Sequence, residues 1–96
     1  MYSLRKSGQF KKDVKLCHKR SYDLSLLHKA ISLLEETGHL PIEYKPHQLQ
    51  GNYAGITDAH IENDWLLLYK VYDTDDFEFE GEVVLYRTGT HSDLFK

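Results

Sequence analysis

The segment Trp65-Leu-Leu-Leu-Tyr-Lys-Val-Tyr72 is a nearly unbroken run of apolar and aromatic residues. A continuous run of this length is typical of a strand that is covered on both faces. Strand-forming residues also occupy 53–61 before it and 83–88 after it. A tight turn at Glu62-Asn63 and a longer acidic turn at 73–82 separate the three runs. We therefore predict consecutive hairpins that form an antiparallel sheet, with residues 65–72 as the inner strand.

Upstream of this sheet, the hydrophobic pattern has helical periodicity. This helical pattern opens at Ser7. The apolar face of this helix is formed by Phe10, Val14 and Cys17. The remaining surface carries Lys11, Lys12, Lys15, Lys19 and Arg20. The sequence thus predicts a basic amphipathic helix.

A second helix is predicted to follow directly. Ser21 is suited to cap it, and Gly38 is a natural residue just beyond its C-terminus. Its apolar positions include Leu24, Leu27, Ile31 and Leu34. Residues 39–46 contain two prolines and are predicted to be an extended loop.

These elements, with a short first strand at residues 2–5, give the order β-α-α-β-β-β. Nothing else in the chain is long enough to cover one face of the sheet, so the two N-terminal helices must pack against it. The predicted fold class is α+β, with an antiparallel sheet packed against two helices. With 96 residues and 41% hydrophobic content, residues 1–96 are expected to form one domain.

The charge is unevenly distributed along the chain. The net charge is −3, but residues 1–48 carry nine Lys/Arg against five Asp/Glu, whereas 49–96 carry three against ten. Much of the acidic excess lies in the turn at 73–82, so the rest of the chain is mildly basic. One cysteine, and no apolar run that could act as an export signal or membrane span, lead us to expect a cytoplasmic protein that does not enter a membrane.

Two histidines and two aspartates lie close to the inner strand. Side chains two residues apart on a strand share a face, so Asp58 and His60 project together, and the following turn brings Asp64 back beside them. His47 precedes this region and His91 follows the last strand, so both reach the same edge if the sheet order is as supposed. Such a cluster would place several proton-transfer groups together.

Four segments resemble one family of proteins. They are His47-x-Leu-x-Gly51, Asp58-x-His60-x-x-x-Asp64-Trp65, Arg87-Thr-Gly-Thr-His91-x-x-Leu-Phe95 and the first-helix opening Ser7-Gly-Gln-Phe-Lys-Lys-Asp-Val-Lys15. Together they resemble the YafQ branch of the RelE/ParE toxin superfamily over essentially the whole chain. The resemblance implies the RelE-like microbial RNase-like fold.

The resemblance also implies an activity. It is that of a toxin from a type II toxin–antitoxin system, a ribosome-dependent endoribonuclease that cuts mRNA in the A site without a metal or other cofactor. The positions that match the catalytic residues of the family are His47, His60, Asp64 and His91. Asp58 and Phe95 match positions implicated in the site, and we expect them, with Arg87 and the lysines 11, 12 and 15, to contact RNA or phosphate.

These residue types suit RNA cleavage. The reaction needs a base for the 2′-hydroxyl proton, an acid for the departing 5′-oxygen, and positive charge near the phosphorus. Histidine suits both proton transfers near neutral pH. We expect His91 to be the acid, His47 or His60 to be the base or a phosphate contact, and Asp64 to orient or charge a histidine. Arg87 is the expected phosphate ligand.

The partners implied by the resemblance are the 70S ribosome with its mRNA, and an antitoxin with a ribbon-helix-helix half similar to DinJ or RelB. Operator DNA is expected to be bound only through the antitoxin complex. The acidic turn at 73–82 would be repelled by rRNA, so we expect it to point away from the ribosome or to contact the antitoxin.

Other interpretations of the same residues remain open. The histidines can be solvated residues at a sheet edge, Asp58 a turn residue, Arg87 a structural ion-pair partner, and the lysines a solvated helix face. His47, His60, Asp64 and His91 are also acceptable ligands for zinc or iron. A third possibility is a non-nuclease toxin of the ParE type, or an interaction module, on the same fold.

Overall fold

The computed structural model describes residues 1–74 and 78–95. Within these ranges five strands form one sheet in the order β1-β5-β4-β3-β2. The strands are β1 (Tyr2–Lys6), β2 (His47–Gln48), β3 (Thr57–Glu62), β4 (Trp65–Asp73) and β5 (Gly81–Gly89). The helices are α1 (Gly8–Lys19), α2 (Leu24–Thr37) and α3 (His91–Leu94), with short 3-10 helices at Ile42–Tyr44 and Gly51–Tyr53. The predicted fold class is confirmed, and β2, α3 and the 3-10 helices are additions to the predicted order.

Strand β4 lies at the centre of the sheet and is covered on both faces along its first half. Leu67 and Tyr69 belong to the core under α1 and α2, whereas Leu66 and Leu68 belong to a second apolar cluster on the opposite face, with Leu94 of α3. All five of these side chains are at most 4% exposed. The prediction of an inner strand is therefore confirmed.

Strand β1 pairs in parallel with β5, whereas the other pairings in the sheet are antiparallel. The register runs from Tyr2 opposite Gly81 to Lys6 opposite Leu85. The sheet is therefore antiparallel only from β5 to β2. This pairing joins residues that are far apart in sequence, so no local pattern could have predicted which strand β1 contacts.

The ends of both long helices follow from their capping residues. The Ser7 hydroxyl accepts a hydrogen bond from the Phe10 N–H at 2.9 Å and donates one to the Tyr86 carbonyl at 2.8 Å. Helix α2 ends at Gly38, which has a φ of 75°. A Cβ atom there would lie 2.5 Å from the Tyr2 ring, so glycine is required by space as well as by backbone conformation.

The cap predicted for α2 was wrong. Asp23 caps this helix, accepting from the Ser25 N–H at 3.0 Å, whereas Ser21 has a φ of 62° and lies in the turn between α1 and α2. An aspartate carboxylate competes well with a hydroxyl for this position. The predicted extended loop at 39–46 also contains a 3-10 helix.

The predicted boundaries around β3 were also shifted. Strand β3 begins at Thr57 rather than at 53, because Gly51–Tyr53 is helical and Gly55, with a φ of 88°, turns the chain before the strand. The turn that follows contains residues 63–64, one position later than predicted, since Glu62 still pairs with Trp65.

Helix α1 is anchored to its neighbours at three places, two on β5 and one on α3. Ser7 contacts Tyr86 at the start of the helix, and Asp13 accepts from Arg87 and from the Thr88 backbone in the middle. At its end, Arg20 donates two hydrogen bonds to Asp93 of α3, at 2.6 and 3.1 Å. Helix, strand and the short α3 are thereby held in one arrangement.

The acidic turn lies at the end of β4 opposite Asp64. Residues 75–77 of this predicted turn lie outside the described residues. Of the described acids, Glu80 pairs with the N-terminal ammonium at 2.9 Å and Glu82 pairs with Arg5 at 3.0 Å. With about 3.3 Å of rise per strand residue, the length of β4 places Asp73 about 26 Å from the start of the strand.

Among the helices in the described ranges, none has the length and apolar character needed to cross a membrane.

Candidate active site

Three histidines form a row across one end of the sheet, and we call His47, His60 and His91 the histidine row. The ring centroids of His47 and His60 are 6.5 Å apart, and those of His60 and His91 are 6.2 Å apart. His47 lies on β2 and His60 on β3, and His91 is the first residue of α3 directly after β5. The sheet order therefore brings together residues from three separate parts of the sequence.

Asp64, in the turn between β3 and β4, binds His91. Its Oδ1 atom accepts from the His91 backbone N–H at 3.0 Å and from the ring Nδ1 at 2.6 Å. These two hydrogen bonds, the backbone one first, lower the pKa of the Asp64 carboxyl. A carboxylate can only accept, so the Nδ1 atom carries a proton and the Nε2 atom is left for another partner. Both side chains are more than half exposed, so that partner can come from solution.

Asp58 lies beneath His47 at the other end of the row. The distance from His47 Nε2 to Asp58 Oδ2 is 3.7 Å, and Asp58 is 3% exposed. Its Oδ1 atom is buried and has no hydrogen-bond partner among the described residues. A buried carboxylate without donors is costly unless a positive charge or a proton compensates it.

The hydrogen bond of His47 orients its ring toward Asp58. Its Nδ1 atom lies 3.2 Å from the Lys45 carbonyl, which can only accept, so Nδ1 carries a hydrogen. The Nε2 atom then faces the Asp58 carboxylate, at a distance longer than a direct hydrogen bond. Asp58 therefore lies where it acts on His47 rather than where it can contact RNA directly.

His60, in the middle of the row, has no carboxylate partner among the described residues. Its Nδ1 atom lies 3.4 Å from the Asn63 carbonyl, a long hydrogen bond in which the ring is the donor. In the neutral form of the ring, the Nε2 atom is then the acceptor. The row thus consists of a histidine–carboxylate pair at each end and an unpaired histidine between them.

An aromatic pair continues the row beyond His91. The Phe95 ring centroid lies 6.0 Å from that of His91, and the Tyr53 ring meets Phe95 edge-to-face at 5.5 Å. The Tyr53 hydroxyl donates to the Leu94 carbonyl at 3.5 Å. Tyr53 was missed as a site residue, because no sequence spacing links it to a residue more than forty positions away. The two rings form an aromatic surface next to the proton-transfer groups.

Arg87 is bound to a buried aspartate of α1. Its Nε and Nη2 atoms donate to the Asp13 carboxylate at 2.7 and 3.2 Å, and this hydrogen bonding raises the pKa of Arg87. Asp13 also accepts from the Thr88 N–H and from Gln9. The arginine thus forms the structural ion pair that was the alternative to a phosphate ligand, although a third of its side chain is exposed.

Asp13 was not predicted, but the sequence carried a signal for it. It lies three residues after Phe10 and four before Cys17, on the apolar face of a helix whose other charges face solvent. An acid on that face must be buried with a partner. The basic residues Lys11, Lys12 and Lys15 are all exposed on the outer surface of α1.

The site does not have the geometry of a metal centre. In residues 1–74 and 78–95, no three or more His, Cys, Asp or Glu side chains are grouped so that they could hold a metal ion. The carboxylates contact the histidines at the two ends of the row instead.

Known proteins are similar to this chain in sequence and in fold. The family model described as the bacterial toxin of type II toxin-antitoxin system, YafQ, matches residues 2–96. The mRNA interferase toxin YafQ of Escherichia coli K12 is 48% identical over 90 residues, which cover 93% of this chain and 90% of that protein. The crystal structure of the E. coli DinJ-YafQ toxin-antitoxin complex matches with a TM-score of 0.82 and 44% identity, covering 99% of this chain and 98% of the other.

A copper-bound mutant toxin from Helicobacter pylori matches with a TM-score of 0.85 and 30% identity, covering 99% of this chain and 100% of the other. The agreement thus extends over the whole fold and over the elements that carry the histidine row. This chain belongs to the YafQ family of type II toxin–antitoxin toxins.

Proposed function

We propose that this protein is the toxin of a type II toxin–antitoxin pair, and that it inhibits translation as a ribosome-dependent endoribonuclease. It cleaves mRNA in the ribosomal A site by metal-independent acid–base catalysis, in which the 2′-hydroxyl attacks the adjacent phosphate. The observation that carries the proposal is the histidine row, with a carboxylate bound to the histidine at each end. The relationship to the mRNA interferase toxin YafQ supports the same activity.

Each histidine has a different role in the proposed reaction. His91 is the general acid, because Asp64 binds its Nδ1 atom and stabilises the charged ring whose Nε2 proton passes to the leaving 5′-oxygen. His60 is the general base, because its Nε2 atom has a free lone pair. His47, at the other end of the row and more than half exposed, is the phosphate contact.

The surrounding residues bind and orient RNA. Phe95 and Tyr53 stack on a base next to the cleaved bond. Lys11, Lys12 and Lys15 contact rRNA phosphates through the exposed face of α1. Arg87 contributes through its exposed third while Asp13 holds the rest of the guanidinium.

Copper is bound by the H. pylori mutant toxin, but the residues of this chain do not fit a metal in the described ranges. The proposed reaction therefore has no step that uses a metal.

The proposed partner is an antitoxin of the DinJ or RelB type, with a ribbon-helix-helix half, in line with the DinJ-YafQ complex. Operator DNA is bound only through that complex.

The test is cleavage on translating ribosomes, with mapping of the new mRNA 5′ ends. His47→Gln, His60→Gln, Asp64→Asn and His91→Gln are compared with the wild type, and His18→Gln on the exposed surface of α1 is the matched control. We expect wild type and control to cut within A-site codons, and the His60 and His91 variants to lose about a hundredfold or more in rate.

Two outcomes would contradict the proposal. Undiminished cleavage by all four variants would remove the histidine row from the chemistry. Retained toxicity of His91→Gln, with no mRNA cleavage by either form, would favour a non-nuclease toxin of the ParE type. A parallel reaction tests the metal with toxin that was treated with EDTA and then freed of the chelator, so that the ribosomes keep their Mg²⁺; the proposal requires an unchanged rate.

A further inference from the structure

A cavity of about 510 Å³ opens beside His60 on the outer side of β3. Helix α2 contributes Lys29 and Leu33 to its wall, the 3-10 helix Ile42–Tyr44 contributes Glu43 and Tyr44, and β3 contributes His60 and Ile61. The volume lies in the usual range for small-ligand sites. None of the residues used above for catalysis lines it except His60.

The cavity exists because β2 is short. Strand β2 pairs with β3 at Thr57 and Asp58, and its two residues end there. The outer side of β3 at His60 and Ile61 is covered by the 3-10 helix, which leaves a gap. His60 thus belongs both to the histidine row and to the wall of this cavity, so the cavity adjoins the row at that residue.

The chemistry of the walls selects a flat, polar-edged ligand. Leu33, Ile61 and the Tyr44 ring offer apolar surface for a planar group, and the cavity carries one cation, Lys29, and one anion, Glu43. A phosphate would be repelled by Glu43. Lys29 and Glu43 are both exposed, so a purely apolar side chain would use neither of them as a partner.

We propose that this cavity binds a guanine base of the mRNA, one nucleotide away from or next to the cleaved bond. Guanine presents two donors, N1–H and the N2 amino group, to the Glu43 carboxylate, and its O6 and N7 acceptors to Lys29. The Tyr44 ring packs on the base. The cavity is then a specificity subsite of the row, and this assignment rests on the function proposed above.

The test uses ribosomes that translate an mRNA library with random codons, and it sequences the cut ends. Wild-type protein is compared with Glu43→Gln and Lys29→Met. The matched control is Glu36→Gln, an exposed position on α2 that removes the same charge away from the cavity. We expect guanine to be enriched at one fixed position in the wild type and control. Each cavity variant should reduce that enrichment about fivefold or more, while still cutting mRNA.

A second measurement does not depend on cleavage. Guanosine and uridine 5′-monophosphate are titrated separately at equal concentrations, and the methyl NMR signals of Leu33 and Ile61 are followed. Shifts with the guanine nucleotide alone support the subsite, and their loss in Glu43→Gln assigns the contact.

Distinct outcomes separate this inference from the proposed function. If the wild type cuts mRNA but guanine enrichment is absent, or is unchanged in both cavity variants, the subsite is wrong and the proposed function stands. If the variants keep the base profile but bind the antitoxin more weakly, the cavity belongs to the antitoxin interface. If the wild type cuts no mRNA, the proposed function fails. In the NMR titration, equal methyl shifts with both nucleotides overturn the subsite, whatever the cleavage result.

Discussion

A single oxygen of Asp64 accepts two hydrogen bonds from His91, one from its backbone and one from its ring. The backbone bond fixes the start of α3 and the ring bond fixes the tautomer of the imidazole. One carboxylate thus sets both the position and the protonation pattern of the proposed general acid.

Replacing Asp64 by Asn tests this dual role. The amide oxygen can still accept both hydrogen bonds, but it lacks the charge that makes them strong. We expect about tenfold slower cleavage at neutral pH. Glu62→Gln removes the same charge from the end of β3, two residues before Asp64, and should leave the single-turnover rate unchanged. A rate for Asp64→Asn equal to wild type would show that orientation alone suffices.

The ionisation of Asp64 predicts how the pair responds to acid. Hydrogen bonding to His91 lowers the pKa of this carboxyl, so the folded state favours its charged form. Its contribution to stability is present above the unfolded-state pKa of about 3.9, and is lost as the pH falls through the lower folded-state value. A carbon-detected NMR titration should show Asp64 still ionised at the pH where an aspartate in an unstructured peptide is half protonated. A midpoint equal to that of the peptide would contradict the hydrogen bonds to His91.

Arg20 and Asp93 are expected to stabilise α3 in the same pH-dependent manner. The Arg20 side chain, then the Thr90 N–H, hold the pKa of Asp93 far below its usual range. The folded-state pKa is depressed, so the stabilisation is full above about pH 4 and declines below it. In urea titrations from pH 2 to 7, Asp93→Asn should show a flatter acid limb than wild type. A double-mutant cycle with Arg20→Met should show non-additive losses, and additive losses would remove the pair as a stabilising contact.

Asp13→Ala is expected to destabilise the protein by about 2–3 kcal/mol. The change leaves the buried Thr88 N–H without a partner and removes the acceptor of Arg87. Water at the exposed third of the Arg87 side chain offsets part of this loss. The measurement is the free energy of unfolding from urea titration. Gln9→Ala removes only the side-chain donor of Gln9 and should cost less than about 0.5 kcal/mol. Similar losses for both variants would mean that the Arg87 contact contributes little.

Thr88→Val should destabilise by about 1–3 kcal/mol, because the buried indole N–H of Trp65 loses its acceptor. The Thr88 hydroxyl accepts from Trp65 at 2.8 Å and donates to the Leu66 carbonyl at 2.7 Å. Trp65 is the one tryptophan of the chain, so its fluorescence reports the unfolding transition directly. Thr37→Val, at an exposed hydroxyl of α2, is the control and should change stability by less than about 0.5 kcal/mol.

The elements of the fold were predictable where local chemistry determines them. The continuous apolar run predicted the inner strand, the helical pattern that opens at Ser7 predicted the start of α1, and Gly38 predicted the end of α2. The parallel pairing of β1 with β5 was not predictable, because it depends on how the whole sheet closes.

The site was predictable in its residue types but not in its contacts. Spacing placed Asp58 and His60 on one face, yet it could not show that Asp58 is buried beneath His47 while Asp64 is exposed beside His91. Burial of this kind depends on what covers the end of each strand. In the same way, Arg87 has the chemistry of a phosphate ligand, and only the position of α1 shows that Asp13 binds it first.

The three contacts that anchor α1 to its neighbours fix the distance between the outer face of this helix and His91. Ser7, Asp13 and Arg20 hold the helix to β5 and α3, so the distance from the lysines on its outer face to His91 is constant. Once those lysines bind phosphates at one place on the ribosome, the nucleotide that meets His91 is decided by that distance. The cut site would then be measured from the ribosome by a rigid helix, rather than found by the toxin along the message.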